Sequence, residues 1–395
     1  MGAHFVVRSL TILLIITASV ACVRVWSASS YAQSSSGQFA NGFPDDPRFF
    51  PIGVWVQDPQ GAAAYKAMGV NTFVGLWKGP TEVQLSQLAK AGVYAIADQN
   101  DLALHSPNAH VIKAWMQDDE PDNAQPRLIG GHGDCVRPEQ VVSTFSAMRS
   151  RDPTRPVFLN FGQGVANKQW RGRGRLCNSM DHDLYYRQAS RGADILSFDI
   201  YPVTESRQPH IQGRLELVAD GVSNLVRWAV PEQRVWALIG TTHISDPSRR
   251  PTPAEIRAMA WMALIKGARG LVYFVHEWHP TFGSSAIFRY PEIVAAVTLL
   301  NSEIRELAPV INSANVVSIK ASPDIAAMAR GHGDILYVFA VNLSNKPRKA
   351  KLTLDGGQTG AGGVVGETRP VSLKDGVLDD DFEPYGARLY AFPQR

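Results

Sequence analysis

From Phe49 onward the chain repeats one pattern. A short β-branched or aromatic run, apolar on both faces, is followed by a stretch of helical periodicity. The predicted strands are 50–56, 70–77, 93–98, 111–117, 156–161, 195–201, 234–240 and 270–276. Apolarity on both faces is what strands of a covered parallel sheet require. The helical stretches have readable starts. Thr252-Pro253-Ala254-Glu255 combines a capping box with proline at the first helical position, and Pro80-Thr81 and Pro138 open two more. Eight such units between residues 49 and 314 predict a (β/α)8 TIM barrel, a fold of ~250 residues. An open doubly wound sheet is the alternative, but no glycine-rich phosphate loop follows the first strand. After a last helix over 290–311 the texture changes. The runs ILYVFAVNLS, KAKLTL and ARLYAF, separated by Gly, Asn and Asp, predict a small antiparallel, sandwich-like β domain over 315–395. DGVLDDDFEPYG reads as a solvated loop between two of its strands.

The N-terminus alters this picture. Arg8 precedes an apolar run, Leu10 to Val23, too short for a comfortable membrane span. We expect a signal peptide over 1–32, ending at Ser30-Tyr31-Ala32, and export to the periplasm or beyond. Ser19-Val20-Ala21-Cys22 resembles a lipoprotein box, with Ser19 where Leu is usual. Membrane attachment is therefore expected only through a lipid on Cys22 or an uncleaved signal. Residues 33–48 read as a flexible linker. Export also permits a disulfide between Cys135 and Cys177. The 395 residues are 45% hydrophobic and 19% charged, with net charge +3. Basic residues mass only in Arg171–Arg175, so no nucleic-acid partner is expected.

The candidate chemistry begins at Ala114–Asp122, AWMQDDEPD, where carboxylates crowd around one proline at the end of the fourth strand. In a barrel that end builds the active site. Strand alternation gives Asp118 and Glu120 one parity and Asp119 the other. The other strand ends bring Trp55 and Gln57, Trp77, Asp98, Asn160, Asp199 and Tyr201, His243, and His276-Glu277-Trp278 to the same rim. Such a mixture suits sugars, whose C–H faces stack on aromatic rings and whose hydroxyls need many polar partners. No cofactor is expected. His276-Glu277-Trp278-His279 lacks an established metal spacing, so no metal is expected either.

Trp115–Pro121, W-M-Q-D-D-E-P, resembles the W-x-x-x-N-E-P motif of the barrel glycosidases whose acid/base glutamate ends strand four. The resemblance implies Glu120 as general acid/base, with Asp119 in place of the asparagine. It also implies a nucleophilic glutamate ending strand seven, where this chain reads WALIGTTH and has no carboxylate before Asp246. The second carboxyl is sought at Asp199 first, then Glu277, then Asp98. Asp118-x-Glu120 with Asp199-x-Tyr201 is also similar to chitinase-type barrels, in which the substrate's N-acetyl group is the nucleophile. There, Ala114 and Met116 replace the upstream aspartates. Two functions follow: a secreted hydrolase of glycosidic bonds in a poly- or oligosaccharide, or a carbohydrate-binding barrel that has lost its chemistry.

Overall fold

The computed structural model describes residues 39–127, 129–170, 181–244 and 246–394. The signal segment with Cys22, Arg171–Arg175 and Cys177 lie outside the described residues. Parallel strands β1 (Ile52–Gln57), β2 (Thr72–Leu76), β3 (Tyr94–Asp98), β4 (Ile112–Met116), β5 (Val157–Phe161), β6 (Ile195–Phe198), β7 (Arg234–Val235), β8 (Ala237–Gly240) and β9 (Leu271–Phe274) form one sheet. Its order is β7-β6-β5-β4-β3-β2-β1-β9-β8. The two ends of that order are one chain segment. Trp236 separates β7 from β8, its N–H bonding back to Leu196 O at 2.8 Å while Ala237 N–H turns forward to Gly270 O at 3.2 Å. The seventh barrel strand thus switches partner at one residue, and the barrel closes.

Helices α1 (Ala62–Ala67), α2 (Glu82–Ala91), α3 (Asp101–His105), α4 (Pro138–Arg151), α5 (His182–Ala189), α6 (Glu216–Trp228), α7 (Pro253–Ile265) and α8 (Pro291–Ile311) surround it. The predicted cap at Thr252 is present: its side chain accepts from Glu255 N–H, and Glu255 reaches back. Thr81 builds a second capping box with Gln84. Residues 39–48, read from sequence as flexible linker, are held against the barrel. Asn41 N–H bonds to Thr154 O at 2.9 Å, and the Phe43 ring packs on Phe49, Tyr94 and Trp236.

Strands β10 (Val316–Val317), β11 (Ile319–Ala321), β12 (Ile325–His332), β13 (Ile335–Asn342), β14 (Arg348–Leu354), β15 (Gly360–Val364), β16 (Pro370–Leu373), β17 (Val377–Phe382) and β18 (Ala387–Pro393) follow. They make a six-stranded and a three-stranded sheet that share one core. VLDDDF is strand β17 rather than solvated loop. Asp380 accepts from Arg369, Arg388 and Tyr390, and those charge-assisted bonds hold it in the sheet well below the usual carboxylate range, against its own burial. Helix α7 is buried almost all round, as a helix sandwiched between two layers must be. Its Trp261 stacks on Phe339 of β13, centroids 5.5 Å apart, and so joins the β domain to the barrel.

The contact between α6 and β6 sets the height of the residues that follow β6. A Cβ on Gly221 would lie 2.2 Å from the buried Phe198 ring. Gly221→Ala is therefore expected to cost about 1–3 kcal/mol in chemical denaturation. Gly360→Ala, where an added Cβ meets nothing within 4 Å, serves as the control and should stay near wild type.

Candidate active site

The barrel interior fixes which residues look up into the mouth. Ala114, Phe158, Ile195, Trp236, Val272 and Phe274 pack together inside the sheet. Two residues on from these lie Asn160 after Phe158, Ser197 and then Asp199 after Ile195, and His276 and then Trp278 after Phe274. The period of two thus stacks polar and aromatic groups directly above an apolar plug.

Asn160 is the hub. Its Oδ1 accepts from Ser197 Oγ at 2.6 Å, which fixes the orientation of the amide. Its Nδ2 then donates to Asp119 Oδ1 at 2.9 Å and to Asp199 Oδ1 at 3.3 Å. One amide nitrogen thus spans a carboxyl from the end of β4 and another from the end of β6. Burial, then the charges of Glu120 and Asp119, push Asp199 well above the usual carboxylate range. Burial and the Glu120 charge likewise raise Asp119 to about 7. Asp119 nevertheless keeps solvent-exposed surface.

Glu120 occupies the positive-φ region at +46°. Its N–H bonds to Asn160 O at 3.0 Å, and its own carbonyl accepts from Asn123 N–H, also at 3.0 Å, and from Gln125 Nε2. The chain therefore leaves the extended conformation here, and strand parity no longer separates Asp119 from Glu120. Both reach the mouth, a correction to the alternation read from sequence. The Glu120 carboxylate accepts from Asn123 Nδ2 at 2.8 Å and lies over Gly162, next to the Trp170 ring. Val56, Lys78 and Ile244 also have positive φ. Backbone strain thus gathers at the mouth, as it does at functional sites.

Beneath Glu120, Asp122 is buried. It accepts from Gly162 N–H at 2.8 Å and Tyr186 O–H at 2.7 Å, tying the loop after β4 to the loop after β5. Burial, then the Glu120 charge, raises it to about 7. At the rim, burial and Asp118 raise Asp98.

An aromatic wall stands beside the carboxyls. The Tyr201 ring packs on Phe274 at 4.9 Å, and Phe274 stacks on Trp278 at 5.7 Å. Trp278 continues to Phe282 at 6.0 Å, which meets Trp77 at 6.1 Å. Trp77, Trp278 and Phe282 are 38%, 46% and 49% exposed, which leaves ring faces free to stack. The buried Tyr201 hydroxyl lies beside the Asp199 carboxyl, and each perturbs the other's titration.

Solved structures share this architecture. An Anoxybacillus α-amylase aligns at TM-score 0.54 and 11% identity, over 89% of this chain and 99% of its own. A Geobacillus thermoleovorans α-amylase crystallised with acarbose gives the same TM-score and identity, over 89% and 100%. α-Galactosidase I of Mortierella vinacea gives 0.53 and 10%, over 88% and 98%. The fold is that of these barrel glycosidases. No family model and no curated protein matches the sequence.

Several expected site residues have other work. Trp55 is a core residue, 5% exposed inside the barrel and packed on Phe158. Gln57 is fully buried; its amide bonds to Ser284 O, Trp55 O, Tyr65 O–H and Ser285 O–H. Glu277 is also buried, with one oxygen held by Arg289 at 2.9 Å and the other by Tyr290 at 2.7 Å. That pairing fixes the loop after β9 and takes Glu277 away from the Asn160 cluster. His276 lies under the aromatic wall, bonded to Trp55 O, and burial lowers its pKa. His243 is half-buried, its Nδ1 at 3.1 Å from Asp246 O and its ring against Tyr290. Cys135 is buried, but its expected partner is outside the described residues. Reasoning from sequence missed Ser197, Phe282, Trp170, Tyr186 and Gly162. Of these only Ser197 carried a signal, two residues before Asp199 on the same face.

A carboxyl raised by folding binds protons that the unfolded chain has lost. Its stabilising contribution is present at low pH and declines as pH rises from the unfolded value near 4 through the folded value. Asp122→Asn keeps an acceptor for Gly162 N–H and removes the charge. It should raise stability at pH 8 by about 1–3 kcal/mol, with the gain vanishing near pH 4. A gain independent of pH would contradict this account.

Proposed function

We propose that this protein hydrolyses glycosidic bonds, using Glu120 and Asp199 as its two carboxyls. The observation that carries the reading is that Asn160 holds both residues: its backbone O accepts from Glu120 N–H at 3.0 Å, its Nδ2 reaches Asp199 Oδ1 at 3.3 Å, and the Glu120 charge acts on Asp199 beside an exposed aromatic wall. Glycoside hydrolysis needs one carboxyl that holds a proton and one that has lost it. Crowding here separates the two. Asp199, raised well above the usual carboxylate range by burial and then by the charges of Glu120 and Asp119, is the better holder of a proton and is assigned its delivery to the leaving oxygen. Glu120, whose carboxyl lies over Gly162, is assigned the other role, attacking the sugar or activating water. This division inverts the acid/base role that the resemblance implied for Glu120, and a nucleophile supplied by strand four removes the need for one on strand seven. The substrate is an oligo- or polysaccharide whose ring faces lie on Trp77, Trp278 and Phe282, with Asn160, Asp118 and Asp98 near its hydroxyls. The expected signal peptide makes the enzyme an exported one, braced by a Cys135–Cys177 disulfide.

A binding barrel without chemistry is the second reading. At the end of the seventh barrel strand, Thr241 and Thr242 donate their hydroxyls to backbone carbonyls and offer no carboxyl.

The test counts new reducing ends from a panel of neutral, N-acetylated and acidic glycans. Wild type should cleave a member of the panel, and Glu120→Gln and Asp199→Asn should each lose roughly 10²–10⁴-fold. Azide should restore turnover to Glu120→Ala with an activated aryl glycoside; rescue of Asp199→Ala alone would exchange the roles. Cleavage unaffected in both variants removes the pair from the mechanism. Binding without cleavage by all three proteins establishes the second reading.

A further inference from the structure

We propose a second ligand site, for an oxyanion, at the N-terminal end of the barrel, opposite the carboxyl cluster. A cavity of about 480 Å³ opens there between the 39–48 segment and the starts of the strands. Phe43, Trp236, Arg234 and Arg269 line it. What distinguishes it, although Asp45, Asp46, Asp194 and Glu232 also line it, is that donors among its buried residues lack acceptors. The indole N–H of Trp236, a residue only 1% exposed, has no acceptor. Arg269 makes one side-chain bond, Nη1 to Ile311 O at 3.0 Å. Arg330, outside the lining but close enough to act on the charge of Arg269, is 8% exposed and leaves Nε without a partner. Among the described residues none of these three arginines has a carboxylate within ion-pair distance, although the chain forms such pairs at many other arginines. Burial, Arg330 and Arg234 all depress Arg269, as expected where guanidinium charges face one another with no anion between them.

The carboxylates around the cavity do not fill that role. Asp194 accepts from Val157 N–H and lies 3.9 Å from Arg149. Asp46 is held by Arg48 at 2.7 Å. Asp45 and Glu232 are exposed, and Asp45 acts only on Arg234. The C-terminal carbonyls of α8 explain the single bond of Arg269, since cations suit that end of a helix. They do not explain Arg330 or Trp236. A carboxylate or phosphate is the group that matches guanidinium and indole donors lacking acceptors. The Phe43 and Trp236 rings, in contact at 5.5 Å, form an apolar side of the cavity.

The site is independent of the proposed hydrolysis and is tested without it. Inorganic phosphate, glucuronate and neutral glucose would be titrated into the full chain at constant ionic strength, read by calorimetry and thermal midpoint. Phosphate or glucuronate should bind saturably at one site per chain, and glucose should not. Which of the two is tighter assigns the anion as phosphate or carboxylate. Arg234→Gln, at the cavity rim, and Arg330→Met should each weaken the anion by at least about tenfold. The proposal is overturned if neither anion exceeds chloride. It is also overturned if Arg330→Met raises the midpoint while leaving the anion response intact, because Arg330 is then only an uncompensated core charge.

Discussion

Like charges cannot be brought together in a protein without either protons or a frame that holds them, and this barrel supplies both. Besides burial, the Glu120 charge raises Asp119, Asp122 and Asp199, and Asp119 and Asp122 add to the effect on Asp199. Left free, their chain segments would relax apart. The Asn160 amide, itself pinned by Ser197, fixes two of them, and Gly162 N–H and Tyr186 fix a third. The protons follow from that geometry. With the oxygens held and water partly displaced, Asp119 and Asp122 are each raised to about 7, where a carboxyl on a loop would be fully ionised.

The frame can bear this because the strain is local and its supports are deep. Positive φ at Glu120 costs on the order of 1–2 kcal/mol, and the backbone bonds of Glu120 to Asn160 and Asn123 hold it there. Below them lies a plug of close-packed apolar side chains, and β5 and β6 are covered in turn by helices whose packing leaves no room for a methyl at Gly221. The β domain adds to the same framework from outside. Trp261 on Phe339 fixes α7, and Tyr385 reaches Gly213 O at 2.9 Å, in the segment between β6 and α6.

The architecture was legible in the sequence because it is written in periods. Two-sided apolar runs gave each barrel strand to within a few residues, and the Thr252 box and Pro253 gave the start of α7. The site was legible only where it obeys the same period. Asn160, Asp199, Tyr201, Trp77 and Trp278 sit where alternation puts them. The errors mark where period stops being informative. Trp55 and Gln57 have the right parity, but one lies a layer too deep and the other is enclosed by Tyr65, Ser284 and Ser285. Glu277 is turned aside by Arg289 and Tyr290, residues more than ten positions downstream whose pairing no local pattern announces. Glu120 breaks alternation through one backbone angle.

A net charge of +3 conceals a molecule with unlike ends. Strand ends at the C-terminal face collect carboxyls whose nearest partners are amides, hydroxyls and one another. Around the strand starts, Arg269 and Arg330 have no carboxylate within ion-pair distance among the described residues, and an indole and a guanidinium donor go without acceptors. Electroneutrality within a low-dielectric interior disfavours both arrangements. Protons can relieve the acidic end, since carboxyls are able to take them up near neutral pH. The arginine end has no such outlet, because a guanidinium does not release its proton in this range. What the acidic end settles internally by titration, the basic end can settle only with an acceptor from outside the described fold.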